Sequence, residues 1–205
     1  MWQRCQSSPT MTVSMPSRRG RPLGWGLTAC WVIALGTLVT TESLKPPPVQ
    51  SRGPAVAYAS TPEAVIEAML DLAQVTRDDV VYDLGCGDGR IVVAAAKRLG
   101  ARGIGIDIDP QRITEADALA RREGISDRVT FILGDLFRAD FSDATVVMLY
   151  LQPQPNLLLR PRLLAELLPG TRVVSHSYDM GDWIPDEVRR VAGRRIYLWT
   201  IPARQ

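Results

Sequence analysis

Val80-Val81-Tyr82-Asp83-Leu84-Gly85-Cys86-Gly87-Asp88-Gly89-Arg90, running on into Ile91-Val92-Val93-Ala94-Ala95-Ala96-Lys97-Arg98-Leu99, decides how this chain folds. A short apolar run, a glycine turn and a helix-like apolar run follow one another. That strand–turn–helix order lets a backbone approach a nucleotide-like ligand closely. Gly85, Gly87 and Gly89 form G-x-G-x-G. A dinucleotide fingerprint wants its third glycine at position 90, which is Arg90 here, so the match to that pattern fails. The reading left is a nucleoside ligand without a pyrophosphate.

Working outward, Gly103-Ile104-Gly105-Ile106-Asp107 reads as a second strand ending in an acid, 22 residues after Gly85. An acid there can accept hydrogen bonds from both ribose hydroxyls. Val129–Leu133 reads as a third strand, with Asp135 just past its end. Asp83, Asp107 and Asp135 thus fall at the carboxyl ends of three successive strands, the edge where open α/β sheets bind ligands. Further strands are expected at Thr145–Leu151, Arg172–His176, Glu187–Val191 and Arg195–Ile201, the last two turning at Ala192-Gly193. Helices are expected from Thr61-Pro62-Glu63 to about Ala73, over Arg90–Leu99, from Pro110 to about Glu123, and from about Leu157 to Leu168. Thr61 reads as a helix cap, with Pro62 at the first helical position. The first helix should bury Ala64, Val65, Ala68, Met69 and Leu72. Alternating strands and helices imply an α/β fold with a mostly parallel sheet covered on both faces. The closing hairpin makes the last strand antiparallel, giving seven strands.

D-L-G-C-G-D-G-R, then G-I-D-I-D-P, then G-D-L-F resembles the class I S-adenosylmethionine-dependent methyltransferases over roughly residues 58 to 202. The resemblance implies a Rossmann-like sheet ordered 3-2-1-4-5-7-6 and S-adenosyl-L-methionine as cofactor. A narrower likeness rests on Tyr58-x-x-Thr61-Pro62, on the glycine run, and on V-V-S-H followed by M-G-D-W. These are similar to the ATP-synthase c-subunit lysine methyltransferase group, in which the acceptor is a protein lysine and an N-terminal hydrophobic segment is frequent.

Carried over position by position, the family pattern implies the cofactor site. Gly85, Gly87 and Gly89 let the methionine part pass close to the backbone. Asp83 and Asp88 hold its ammonium, directly or through water. Asp107 holds the ribose, Ile108 lines the adenine face, Asp135 meets the adenine amino group and Leu136 forms a wall. Methyl transfer from a sulfonium is an in-line displacement that places the nucleophile about 3–3.5 Å from the methyl carbon and excludes water. Neither a metal nor a covalent intermediate is required. On the acceptor side, Tyr150, Gln152 and Tyr58 are the expected catalytic residues. A lysine must lose a proton before it attacks; Tyr58, Tyr150, His176 and Asp179 are placed for that. His176 reads equally as a structural residue. Trp183 either closes the acceptor pocket or packs on the sheet. The loop Tyr150–Asn156 departs from the Asp/Asn-Pro-Pro-aromatic motif of base-modifying enzymes, which weighs against a nucleic-acid base.

Composition bounds the partners. Residues 1–52 hold six basic residues and one acid, net +5, whereas the remaining 153 hold 18 basic and 21 acidic, net −3. A mildly acidic domain is a poor match to nucleic acid. Three cysteines, Cys5, Cys30 and Cys86, form no C-x-x-C pair, and His176 is the sole histidine, so a structural zinc site is not expected. Cys86 reads as a small space-filler within the glycine loop.

Residues 53–205 are expected to form the catalytic domain. Before it, Pro22 to Thr41 carries no charge over 20 positions and follows Arg18, Arg19 and Arg21. About eighteen residues rise ~27 Å as a helix, close to a ~30 Å hydrocarbon core. The segment reads as a single uncleaved membrane anchor, with a cleaved signal and secretion as the alternative. Lys45–Pro54 reads as an extended, proline-rich linker. The positive-inside rule would export the domain, away from cytosolic cofactor. A misplaced start, an interfacial or hairpin insertion, or true export would each resolve that conflict. The expected function is therefore N-methylation of a protein lysine, with membrane proteins among the expected acceptors. Alternatives are methylation of a small or lipophilic molecule, and an exported ligand-binding protein with an unused cofactor site.

Overall fold

The computed structural model describes residues 60–204. The proposed anchor, the linker, Tyr58, Cys5 and Cys30 lie outside the described residues. The elements run α1 (Glu63–Leu72), β1 (Val80–Leu84), α2 (Arg90–Leu99), β2 (Arg102–Asp107), α3 (Pro110–Glu123), β3 (Val129–Leu133), β4 (Val146–Leu149), α4 (Pro153–Glu166), β5 (Arg172–His176), β6 (Glu187–Val191) and β7 (Arg194–Thr200). The seven strands form one sheet ordered β3-β2-β1-β4-β5-β7-β6. The first five strands pair in parallel, and β7 is antiparallel to both β5 and β6.

Central strands are apolar on both faces because helices cover both. All four residues of β4 are buried. One face packs Val81, Met148 and Val174 against Ile66 and Met69 of α1 and Val92 of α2. The other packs Leu84, Val147 and Leu149 against Leu159 and Leu163 of α4, with Phe141 and Trp199. Burying one such side chain contributes about 1.5–3 kcal/mol. At the amino edge of the sheet, Asp79 ties elements together. Its carboxylate accepts from the Thr76 amide at 2.7 Å and the Thr145 hydroxyl at 2.6 Å, and it pairs with Arg172. Arg172 also donates to the Ala73 carbonyl at 2.9 Å, so one ion pair links α1, β1 and β5.

Three local expectations are corrected. Thr61 does not cap α1, whose first turn receives no side-chain cap. The Thr61 hydroxyl lies instead 3.3 Å from Nδ1 of His176, both residues buried. Tertiary burial redirects a hydroxyl that local sequence assigns to the helix. The buried face of α1 is Val65, Ile66, Met69, Leu70 and Leu72, with Ala64 exposed. Finally, β4 stops at Leu149 and α4 begins at Pro153, four residues earlier than expected. Pro153 and Pro155 sit in the first turn, where amide hydrogens have no helical partner, so prolines start this helix rather than delay it.

Candidate active site

The site starts with the turn after β1. Gly85 and Gly89 adopt φ of 87° and 77°, a left-handed conformation that side chains rarely take. Space is denied as well: a Cβ on Gly85 would meet Leu151 Cδ2 at 2.8 Å, and one on Gly89 would meet Phe131 at 2.6 Å. The turn is also pinned from β2. The Gly85 and Cys86 amides donate to the Ile106 carbonyl at 2.8 and 3.0 Å, and the Gly87 amide donates to Oδ2 of Asp107 at 2.8 Å. Cys86 is buried, its thiol well above the usual range because burial and the nearby Asp83 and Asp107 disfavour a thiolate. It fills space and is not poised as a nucleophile.

Three acids converge here. Asp83 is buried at the end of β1, its carboxyl pushed up to about 8 by burial and then by the negative charges of Asp107 and Asp88. A raised carboxyl beside two further carboxylates, with no cation paired to it among the described residues, is an environment that a ligand cation would relieve. Asp107 accepts from the Gly87 amide through one oxygen and from the Asp109 amide at 2.9 Å through the other. Each oxygen keeps a lone pair for a further donor. Asp88 is engaged: Nε of Arg90 donates to both its oxygens, at 2.9 and 3.1 Å. Arg90 also reaches the Thr61 carbonyl at 3.3 Å. In the sequence Arg90 stands out only as the residue that breaks the dinucleotide pattern. Its clamp on Asp88 has no signal in the spacing.

Along the edge, the Gly134 amide donates to the Asp107 carbonyl at 2.9 Å, setting Asp135 beside the end of β2. Asp135 accepts from the Phe137 amide at 2.9 Å and has Arg138 at 3.8 Å. Ile108 is 73% exposed, an apolar side chain left open next to Asp107. Leu136 lies near Gly85, its Cδ2 3.9 Å from where a Cβ would stand. Carboxylates for a cation, lone pairs for a diol, open apolar walls and a glycine cradle with no room for a side chain together suit S-adenosylmethionine.

The acceptor side forms where β4 and β5 end. Tyr150 stacks on His176 with ring centroids 3.9 Å apart and faces Tyr178 at 6.5 Å. Burial, helped by Arg194, depresses His176 to about 4, so the ring is neutral; its Nε2 is buried without a hydrogen-bond partner among the described residues. Gln152 caps α4 by position, exposed, with its side chain not bonded to the helix. Asp179 is exposed and accepts from the Gly181 amide at 3.1 Å. Trp183 packs against Trp199, centroids 5.6 Å apart, and its carbonyl accepts from the Trp199 indole at 2.8 Å. A residue that the motifs leave out is Asn156, fully buried, whose amide donates to Ser175 Oγ at 3.2 Å and faces the carbonyls of Tyr178 and Asp179 at 3.4 Å. An asparagine in an otherwise apolar helical face is the signal that could have found it.

Comparison with known proteins agrees with this geometry. Residues 83–187 match the family model of the ANTKMT methyltransferase domain. A protein-lysine N-methyltransferase from Saccharolobus islandicus is 44% identical over 153 residues, covering 72% of this chain and 95% of that protein. The lysine N-methyltransferase of the ATP synthase c-subunit from Xenopus laevis is 31% identical over 189 residues, covering 90% and 82%. Among solved structures, an RNA methyltransferase from Salinibacter ruber in complex with S-adenosyl-L-homocysteine is 52% identical, with a TM-score of 0.71, covering 72% of this chain and 96% of that one.

Proposed function

The chain belongs to the ANTKMT methyltransferase family, and we propose that it N-methylates a lysine side chain of a protein. It is an S-adenosylmethionine-dependent methyltransferase. The observation that carries the acceptor class is its 44% identity, over nearly the whole relative, to a protein-lysine N-methyltransferase.

When bound, the cofactor supplies an electrophilic sulfonium methyl group. In this reading Asp83 faces its ammonium and Asp107 its ribose hydroxyls. Asp88, held by Arg90, contributes charge from the second rank. Ile108 and Leu136 flank the adenine, and Asp135 meets its amino group. The glycine turn at 85, 87 and 89 gives the methionine part room along the backbone. Tyr150 and Gln152 receive the acceptor amine, the Tyr150 phenolic oxygen and the Gln152 carbonyl accepting its hydrogens. Tyr58, three residues before Thr61 in the sequence, is the third residue assigned to the acceptor side in this reading. Neutral His176 holds the Tyr150 ring in place. The proton leaves before transfer, because an ammonium has no lone pair. At neutral pH an ordinary lysine deprotonates at a cost of about 4–5 kcal/mol, and in this reading the proton leaves to solvent through the open rim beside Gln152 and Asp179.

Residues 53–205 form the catalytic domain in this proposal, and residues 22–41 anchor it to a membrane. No helix among the described residues is long and apolar enough to cross one. An acceptor in a membrane protein fits such an anchor and the substrates that its relatives' names state. Because a 52% identical structure is named an RNA methyltransferase, RNA is the second reading. The net −3 of residues 53–205 gives it little electrostatic support.

The test is incubation of the full chain with radiolabelled S-adenosylmethionine and membranes of its own source, followed by separation of protein, RNA, lipid and small molecules. Label on a protein band, released as methyl-lysine on hydrolysis and lost in Asp107→Ala, is the expected result. Label confined to RNA, or to lipid and small molecules, would replace this reading.

A further inference from the structure

A helix on the surface of a folded domain normally turns polar and charged residues outward. α4 does not. Its inner face buries Asn156, Leu159 and Leu163. Its outer face is Gln154, Leu157, Leu158, Pro161, Leu164 and Ala165, all exposed and none charged. Leu158 is 61% exposed, and Leu168 just past the helix equally so. The helix's charges lie along its flanks and are already engaged. Arg160 donates to the Met180 carbonyl at 2.8 Å and pairs with Asp182. Arg162 donates to the Ala139 carbonyl at 2.8 Å and pairs with Glu166 at 2.6 Å. Beyond the Arg160–Asp182 pair on one flank, another apolar side chain stands open. Gly181 sits so close to Leu157 that a Cβ would meet its Cδ2 at 2.9 Å, and Ile184, in the same segment, is 82% exposed. Contiguous exposed apolar surface of this kind marks a contact face.

We propose that the outer face of α4, with Ile184 beyond its flanking ion pair, rests on a phospholipid bilayer, as an interfacial docking surface separate from the anchor. The inference builds on the reading of residues 22–41 as that anchor. The position of the tether argues for lipid as the occupant. The described chain begins at Ser60, and Thr61 is bonded to His176 at the carboxyl edge of the sheet. That is the edge from which α4 departs, at Gln152. Residues 42–59 can extend at most about 60 Å, whereas α4 is about 21 Å long. A tether of that reach allows a bilayer to lie along α4, and at the effective concentration it sets a weak contact suffices. An uncharged face buries into the headgroup–acyl boundary without needing anionic lipid. Its contact should then persist in phosphatidylcholine and at high salt.

The full chain is reconstituted in phosphatidylcholine vesicles with a photoreactive residue, Leu158→benzoylphenylalanine. A second variant places it at Ile184, and a control replaces the exposed Arg121 of α3. Lipid adducts at 158 and 184, absent at 121 and unchanged in 0.5–1 M salt (roughly a 3–4 Å Debye length), are the expected result. Vesicle-bound protein whose adducts join residues 22–41 or a second copy, or that forms none, overturns the docking face while the anchor stands. Protein that stays out of the vesicle fraction overturns both.

Discussion

Asp83 sets a pH dependence that can be measured. Its carboxyl is raised to about 8 in the ligand-free fold by burial and by neighbouring negative charge. Below that pH a cationic ligand must displace its proton. Affinity for S-adenosylmethionine should therefore climb between pH 6 and 8, by up to about tenfold per unit, and level off above 8. Calorimetry in buffers of different ionisation enthalpy should show one proton released per binding event at pH 6.5. Asp83→Asn should flatten the slope and abolish the release. Stability runs the opposite way with pH. A carboxyl whose folded value lies above its unfolded one favours the fold fully below about 3.8 and loses that contribution as pH rises towards 8. Asp83→Asn should thus gain more in Tm at pH 8.5 than at pH 5. Asp107 differs in kind, since its oxygens hold the Gly87 and Asp109 amides. Asp107→Ala should cost at least tenfold in cofactor affinity, read by titration with S-adenosyl-L-homocysteine, and should loosen the glycine turn in hydrogen exchange.

At the scale of elements, the turn between β1 and α2 is the most constrained piece of backbone. Gly85→Ala meets both an unfavourable φ of 87° and the Leu151 methyl at 2.8 Å. It should destabilise the fold by about 1–3 kcal/mol in urea unfolding and weaken cofactor binding. Adding Leu151→Ala should recover only the steric part, because the backbone conformation is unchanged. The start of α4 depends on one buried polar residue. Asn156→Leu removes the amide that donates to Ser175 Oγ and faces the carbonyls of Tyr178 and Asp179, leaving the Tyr178 carbonyl only the Ser175 hydroxyl. A loss of about 1–3 kcal/mol is expected. The turnover of a lysine substrate should fall with it, since the 178–179 segment borders Tyr150. A cofactor affinity reduced as much as turnover would refute that local role.

For the molecule as a whole, the clasp at the amino edge holds α1 to the sheet far from the chemistry. Burial is the largest influence on Asp79 and raises it. The hydroxyl of Thr145, the amide of Thr76 and the charge of Arg172 together outweigh that and leave its carboxyl below the usual value. Its contribution to stability is therefore present above about 3.8 and is lost as pH falls through the lowered folded value. Asp79→Ala should cost about 3 kcal/mol, roughly 6–12 °C in Tm, because Arg172 stays partly buried without its partner. Cofactor affinity per folded molecule should not change, which separates this residue from Asp83 and Asp107.

How far the sequence could be read followed the range of the interactions involved. Strand–turn–helix order, the glycine cradle and the acids at strand ends rest on period, propensity and spacing, which neighbouring residues encode. Those features located six of the seven strands within a residue at each end and led to the family and its cofactor. The start of α4 was legible in principle, since prolines belong in a first helical turn, but a proline pair also reads as a loop. Other features depended on residues distant in sequence. Thr61 bonds His176 across 115 positions, and Asn156 is buried against β5. The uncharged back of α4 is recognisable only once the inner face is known. Local sequence sets what each segment can form. Which polar groups meet, which carboxyl loses its charge and which apolar face stays open depend on desolvation, and only the packed tertiary structure decides that.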